Sequence, residues 1–275
     1  MSRNSSYIVQ VGEAGRYRLD ILNTVFGPQS QRFLRRAGLK EGMHVLDVGC
    51  GTGNMSLIIA ELVGNTGNVT GIDISEEQLV VAREKAKEKN ITNIDFQQLS
   101  EEDIFSLRKK YDFIYCRFVL MHLAAPQKTL RNLYLSLNPG GILATEEPTM
   151  SSCFSVPSSG AFKRSIEILM DCANRLNLNF DVGDNLFEMY RAIGCADVDI
   201  HIELAQQIVT QNPEKRLMEF LIVEAAPKYI ANDVSTQEEI NHIAKEMKTL
   251  TDQPASYIGS CRQTQVWASF PTAKL

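Results

Sequence analysis

From residue 43 onward, short apolar runs alternate with segments whose apolar residues recur every three or four positions. Met43–Val48 reads as a buried strand, Asn68–Ile72 as a short strand, and Ile94–Leu99, Tyr111–Phe118 and Ile142–Glu146 as strands. Between them, Gly53–Val63 places Leu57, Ile58 and Leu62 on one helical face. Ser75 stands at an N-cap, with Gln78 in the capping-box position and Leu79 opening the apolar face of a helix that runs on through Ala82–Lys89. Pro126–Leu137 starts on proline, which suits a first helical turn, and stops at Asn138-Pro139-Gly140-Gly141. Strands alternating with helices predict βαβ units and a largely parallel sheet.

The flanks follow another rhythm. Upstream, Glu13–Phe26 and Gln29–Ala37 read as two helices. Pro148–Gly160 is rich in serine and proline and reads as a loop, residues 161–177 carry a helical pattern, and Asn185–Ala192 is a helix ending at Gly194. A strand follows around Asp197–Leu204, residues 213–250 are mostly helical, and Tyr257–Phe270 alternates as a final strand.

Composition narrows the class. The chain has 275 residues, 44% hydrophobic and 22% charged, so it carries a sizeable core without needing disulfides or a metal. A net charge of −5 leaves no basic surplus for a phosphate backbone, which argues against a nucleic-acid partner. No stretch reaches the ~18 apolar residues of a membrane span, and the first residues lack the apolar core of an export signal. Six cysteines are scattered without CxxC spacing and four histidines show no metal-ligand spacing. Free thiols, a cytoplasmic location and no bound metal are the expectations.

The most informative segment is Val45-Leu46-Asp47-Val48-Gly49-Cys50-Gly51-Thr52-Gly53-Asn54, where the first strand hands over to a helix. Glycines there allow a sharp turn and close approach of a ligand to the backbone. Asp73 ends the second strand, 20 residues beyond Gly53, where a carboxylate would accept ribose hydroxyls. Any adenosine cofactor fits so far. A dinucleotide fingerprint, however, requires G-x-G-x-x-G, and position 54 is Asn. Asp47, two residues ahead of the first glycine, would repel a pyrophosphate and attract a ligand carrying an ammonium and a sulfonium.

VLDVGCGTG, GIDIS and LNPGG together resemble the class I S-adenosylmethionine-dependent methyltransferases, most closely their small-molecule branch of quinone and sterol enzymes. The resemblance covers roughly residues 30–205 and the last strand. It implies an α/β, Rossmann-like, seven-stranded, mostly parallel sheet with one antiparallel strand, helices on both faces and a helical cap. The chain is then one domain, with a core of about 30–150, 185–205 and 255–270 and a cap from 1–29, 151–184 and 206–254. The cofactor implied is S-adenosyl-L-methionine. Gly49, Gly51 and Gly53 would line its methionine part, Asp47 would face its ammonium, Asp73 would bind the ribose and Ile74 would lie against the adenine. Ser100 stands where the family has an Asp meeting the adenine amino group, with Glu101 as a substitute. Arg117 would cap the cofactor, and Tyr7 and Arg18 would close over its carboxylate.

For chemistry, His122 lies beside the expected path of the methyl group and could take a proton from an acceptor hydroxyl. Glu146 and Glu147 end the fifth strand, where alternation lets at most one side chain point inward. The acceptor expected is a small, partly apolar molecule, and a homodimer is compatible with the sequence. Two other classes compete: a non-catalytic S-adenosylmethionine-binding regulator, and an NAD-dependent oxidoreductase, which would lack its third glycine and a Tyr-x-x-x-Lys pair.

Overall fold

Pro28 does not divide the first helix. In the computed structural model, which describes residues 13–195 and 199–269, α1 runs unbroken over Glu13–Arg36 where two helices were expected. An interior proline forfeits a backbone hydrogen bond and costs ~3 kcal/mol or more. Phe26, Ser30, Phe33 and Leu34 are all buried, at the spacing of a single helical face. That face continues in register across Gly27-Pro28, and its burial outweighs the lost bond.

The βα rhythm then follows as read: β1 (His44–Val48), α2 (Asn54–Val63), β2 (Asn68–Asp73), α3 (Glu76–Glu88), β3 (Ile94–Gln98), β4 (Tyr111–Arg117) and α4 (Pro126–Leu135). β5 (Leu137–Thr149) starts earlier than expected, so Asn138-Pro139-Gly140-Gly141 lies inside the strand. A side chain at Gly141 would sit 2.9 Å from the carbonyl oxygens of Asn138 and Tyr111, so only glycine allows the two backbones this approach.

Beyond it come β6 (Phe154–Val156), α5 (Gly160–Arg175), α6 (Leu186–Ala192), β7 (His201–Ala205), β8 (Ile208–Val209), α7 (Leu217–Glu224), α8 (Ala226–Ala231), α9 (Gln237–Thr251), β9 (Tyr257–Gly259) and β10 (Arg262–Ser269). The expected final strand is thus two strands, broken at Ser260-Cys261, where the Ser260 hydroxyl accepts the Gln207 amide.

Seven strands form one sheet in the order β3-β2-β1-β4-β5-β10-β7, and β10 alone runs antiparallel to its neighbours. Alternate residues feed opposite faces. Val45, Phe113, Tyr115 and Ala144 pack under α1 and α2, while Leu46, Val48, Ile114, Cys116 and Leu143 join the larger core of α4, α5, α6 and the cap helices. A second, three-stranded sheet, β6-β9-β8, joins the two segments read as cap to β9, which had been read as core. Strands of two or three residues carry too little pattern to be read from sequence.

Candidate active site

The strand order reverses between β1 and β4, and in open α/β sheets ligands bind at the carboxyl ends flanking such a point. A cavity of about 930 Å³ opens there, near the upper limit for a drug-sized ligand, and runs from the glycine loop to an apolar chamber under the cap.

The three glycines all have positive φ: 65° at Gly49, 54° at Gly51 and 75° at Gly53. Their roles differ. A side chain at Gly49 would collide with Val119 at 2.3 Å, and one at Gly53 would meet Ala82 at 2.9 Å and Phe96 at 3.0 Å. At Gly51 the nearest atom would be 4.0 Å away, on Leu19. Gly49 and Gly51 line the cavity, whereas Gly53 serves helix–strand packing and does not line it.

Asp73 knits this loop. One carboxylate oxygen accepts the Gly51 amide and the other the Ser75 amide, each at 2.9 Å. A carboxylate has about four lone-pair sites, so acceptor capacity remains toward the cavity. Burial raises its pKa above the ordinary value. Asp47, 3% exposed, takes a hydrogen bond from Ser56. Burial pushes it up to about 7, against the opposing pull of the Ser56 hydroxyl and Arg117. A cationic ligand group at Asp47 would restore its charge, which suits an ammonium.

At the far end of β2 and β3, Ile74, Gln98 and Ser100 line the cavity, and Gln98 Nε2 is held by the Ile74 carbonyl at 3.0 Å. The Ser100 hydroxyl donates to Asp103 at 2.7 Å, and Asp103 also lines the cavity. The carboxylate expected at position 100 is thus offered one 3₁₀ turn later. Its sequence signal is the acidic run Glu101-Glu102-Asp103. The side chain of Glu101, and all of Tyr7, lie outside the described residues. Gln78 was also missed. Its backbone takes the Ser75 cap, but Asp73 occupies the Ser75 amide that a capping box would use. Gln78 Oε1 is left buried on the cavity wall with no partner among the described residues.

Arg117 lines the cavity with its guanidinium braced by Ser30 at 2.9 Å and Asn23 at 3.4 Å. Glu146 and Glu147 do not reach the cavity. Glu146 accepts from Ser30 at 2.7 Å and Gln265 at 3.2 Å, bracing α1 and β10 from below. Glu147 points the other way and accepts the Val119, Leu120 and Met121 amides at 2.9, 3.0 and 3.4 Å. Both are fully buried, and burial pushes each up to about 7. Glu147 therefore holds the turn that presents His122, and neither glutamate is placed to touch a ligand.

His122 does line the cavity, edge-on to Phe180 with ring centroids 5.2 Å apart. Burial, aided by the nearby Arg18 charge, lowers its pKa to about 3, so its imidazole is neutral at physiological pH. Arg18 is 6% exposed and lines the same chamber. Its Nε donates to the Glu224 carboxylate. Phe180 and Met218 line the chamber, whereas Phe162 is core and Phe154 and Phe187 are exposed. Lys215, 4% exposed, adds an ammonium held by the Gln253 carbonyl and the Ser256 hydroxyl.

The arrangement is a polar, adenosine-sized groove ending in an apolar chamber, and comparison with known proteins agrees with it. Residues 39–249 match a family model described as a methyltransferase domain. A demethylmenaquinone methyltransferase of Listeria welshimeri is 36% identical over 115 residues, which is 41% of this chain and 49% of that protein. A ubiquinone/menaquinone biosynthesis C-methyltransferase of Pseudoalteromonas translucida is 32% identical over 149 residues, or 52% of this chain and 59% of that protein. The chain thus matches about half the length of these curated relatives. The YcgJ protein of Bacillus subtilis shares the fold, with a TM-score of 0.57 at 16% identity over 86% of this chain and 96% of that one. With the family model spanning most of its length, the chain belongs to the methyltransferase domain family, and its resemblance to the class I S-adenosylmethionine-dependent methyltransferases holds.

Proposed function

We propose that the protein methylates a small, partly apolar ring acceptor, best represented by a quinol, using S-adenosyl-L-methionine. The observation that carries this reading is the Asp73-tied glycine loop opening directly into the chamber that His122 lines. The names of the curated relatives support a quinol and methylation at carbon.

When bound, S-adenosylmethionine supplies a methyl group on a sulfonium, open to in-line displacement. Asp73 would hold its ribose and Asp47 its ammonium, with Gly49 and Gly51 as floor, Ile74 and Gln98 along the adenine and Asp103 at the adenine amino group. The remaining work is alignment, exclusion of water and proton handling. Alignment alone can supply roughly 7–11 kcal/mol of a two-reactant barrier. Met121, Met150, Leu169, Phe180 and Met218 wall the chamber with apolar surface and keep water out. His122, held neutral by burial, is a poor base but accepts a hydrogen bond from the acceptor's hydroxyl and so orients the ring, and the proton that the methyl group displaces leaves to solvent. Glu147 fixes the turn beneath it.

The test is a labelled-methyl assay with 1,4-naphthoquinol beside phenols, amines and carboxylic acids. Transfer to the quinol is expected. Asp73→Asn should abolish it by removing a charged acceptor, and His122→Ala should lower the rate about tenfold. Undiminished labelling by Asp73→Asn would sink the cofactor assignment.

A further inference from the structure

Among the described residues, one donor of Arg18 finds nothing to bind. Its side chain is more than nine-tenths buried, and its Nε is committed to Glu224, yet Nη2 has no hydrogen-bond partner among the described residues. An unanswered guanidinium N–H removed from water is costly, so such a group signals a missing acceptor.

Its position indicates which ligand supplies that acceptor. Arg18 acts electrostatically on His122, from the turn after β4, and on Tyr229, from α8. Its partner Glu224 ends α7, the helix whose Met218 and Leu221 wall the chamber. The Arg18 guanidinium thus belongs to the chamber side of the cavity. The other cation there, Lys215, is already held by two oxygens.

We infer that Arg18 Nη2 is the anchor for an oxygen atom of the acceptor, so the Arg18–Glu224 pair selects oxygen-bearing rings and rejects amines. This rests on the reading of the chamber as the acceptor site. A guanidinium N–H pairs with a carbonyl, phenolic or carboxylate oxygen. It repels an ammonium and finds a poor acceptor in an aromatic amine. Glu224 offsets the positive charge of Arg18, so the anchor accepts a neutral oxygen-bearing ring without stranding an excess charge. The same contact fixes which face of the ring meets the incoming methyl group. Arg18 is therefore a specificity-determining residue contributed by α1.

Isothermal titration of the whole protein, saturated with S-adenosylhomocysteine and kept under argon, tests this with four probes: 1,4-naphthoquinol, 1-naphthoate, 1-naphthylamine and naphthalene. The wild type is expected to bind the oxygen-bearing probes more tightly than the other two. Arg18→Gln should weaken the oxygen-bearing probes about tenfold or more and leave naphthalene unchanged. Arg18→Lys keeps the charge against Glu224 without the second nitrogen, and should fold normally yet show the same selective loss. Unchanged S-adenosylhomocysteine affinity in both variants is part of the expectation, because Arg18 is assigned to the acceptor in place of the cofactor carboxylate expected from the sequence. If that affinity falls instead, Arg18 serves the cofactor and the inference is wrong. Equal losses for naphthalene and naphthoquinol, tightest binding of naphthylamine, or binding of no probe would each overturn it too. Binding of naphthoate without naphthoquinol would leave Arg18 as the anchor and refute the quinol reading.

Discussion

Gly51 and Gly53 have the same backbone handedness and opposite neighbourhoods, and substitution separates them. Left-handed φ costs a non-glycine residue roughly 1–2 kcal/mol. Gly51→Ala adds a methyl group that meets nothing within 4 Å except Leu19, so the protein should fold with about that loss in urea titration. The methyl group stands in the groove floor, however, and S-adenosylhomocysteine affinity should fall at least about tenfold by calorimetry. Gly53→Ala drives the same group against Ala82 and Phe96, so it should cost more stability and less affinity. Glu146 makes a different prediction. The unfolded chain ionises it near its ordinary 4.5, whereas the folded protein keeps it protonated up to about 7. The folded state binds more protons across that window, so this group's contribution to stability falls as pH rises from 4.5 to 7. Glu146→Gln cannot ionise. Its stability relative to wild type should rise across that window, by up to about 3 kcal/mol at roughly 1.4 kcal/mol per pKa unit. Thermal melts at pH 5 and 7.5 check this, and a constant difference would contradict it.

Among the elements, α1 is the one that most shapes the site. Lys85 on α3 donates to Asp20 at 2.5 Å and Asn54 at 2.8 Å, and Asn54 in turn donates to Asp20 at 3.0 Å. Helix, glycine loop and α3 are joined at this one junction, with Lys85 only 12% exposed. Lys85→Met leaves the sheet untouched and should loosen the helix. Amide exchange around Leu19–Asn23 should quicken and cofactor release should accelerate, both measurable by hydrogen exchange and stopped flow. The sequence pattern located β1 to β4 and the glycine turn because each depends on local periodicity or on residues close in the chain. It could not locate the partners of Glu146 and Glu147. Those are Ser30, Gln265 and three backbone amides, far away in the chain or without a side-chain signature. Strict alternation rightly put the two glutamates on opposite faces. What it could not supply was that both faces are filled. Asp103 and Gln78 escaped notice because one 3₁₀ turn and one displaced capping bond decide their roles.

At the scale of the whole molecule, the cavity touches α1, the glycine loop, the β4 turn, α5, α7 and the second sheet, so a ligand there adds contacts to all of these parts at once. Saturation with S-adenosylhomocysteine at 100 times its Kd should add about 2.7 kcal/mol of stability. For a chain of 275 residues that corresponds to a melting shift of roughly 5 °C or more by calorimetry. No shift would mean that the groove does not hold this ligand. The position of β10 has a consequence of another kind. Residues 262–269 come late in the chain yet fill an interior place, hydrogen-bonded to β5 on one side and β7 on the other. During synthesis, His201–Ala205 has no sheet to join until those residues leave the ribosome. A nascent chain stalled at residue 255 should therefore be digested rapidly in pulse proteolysis, with protection appearing abruptly once Ser269 is clear of the tunnel.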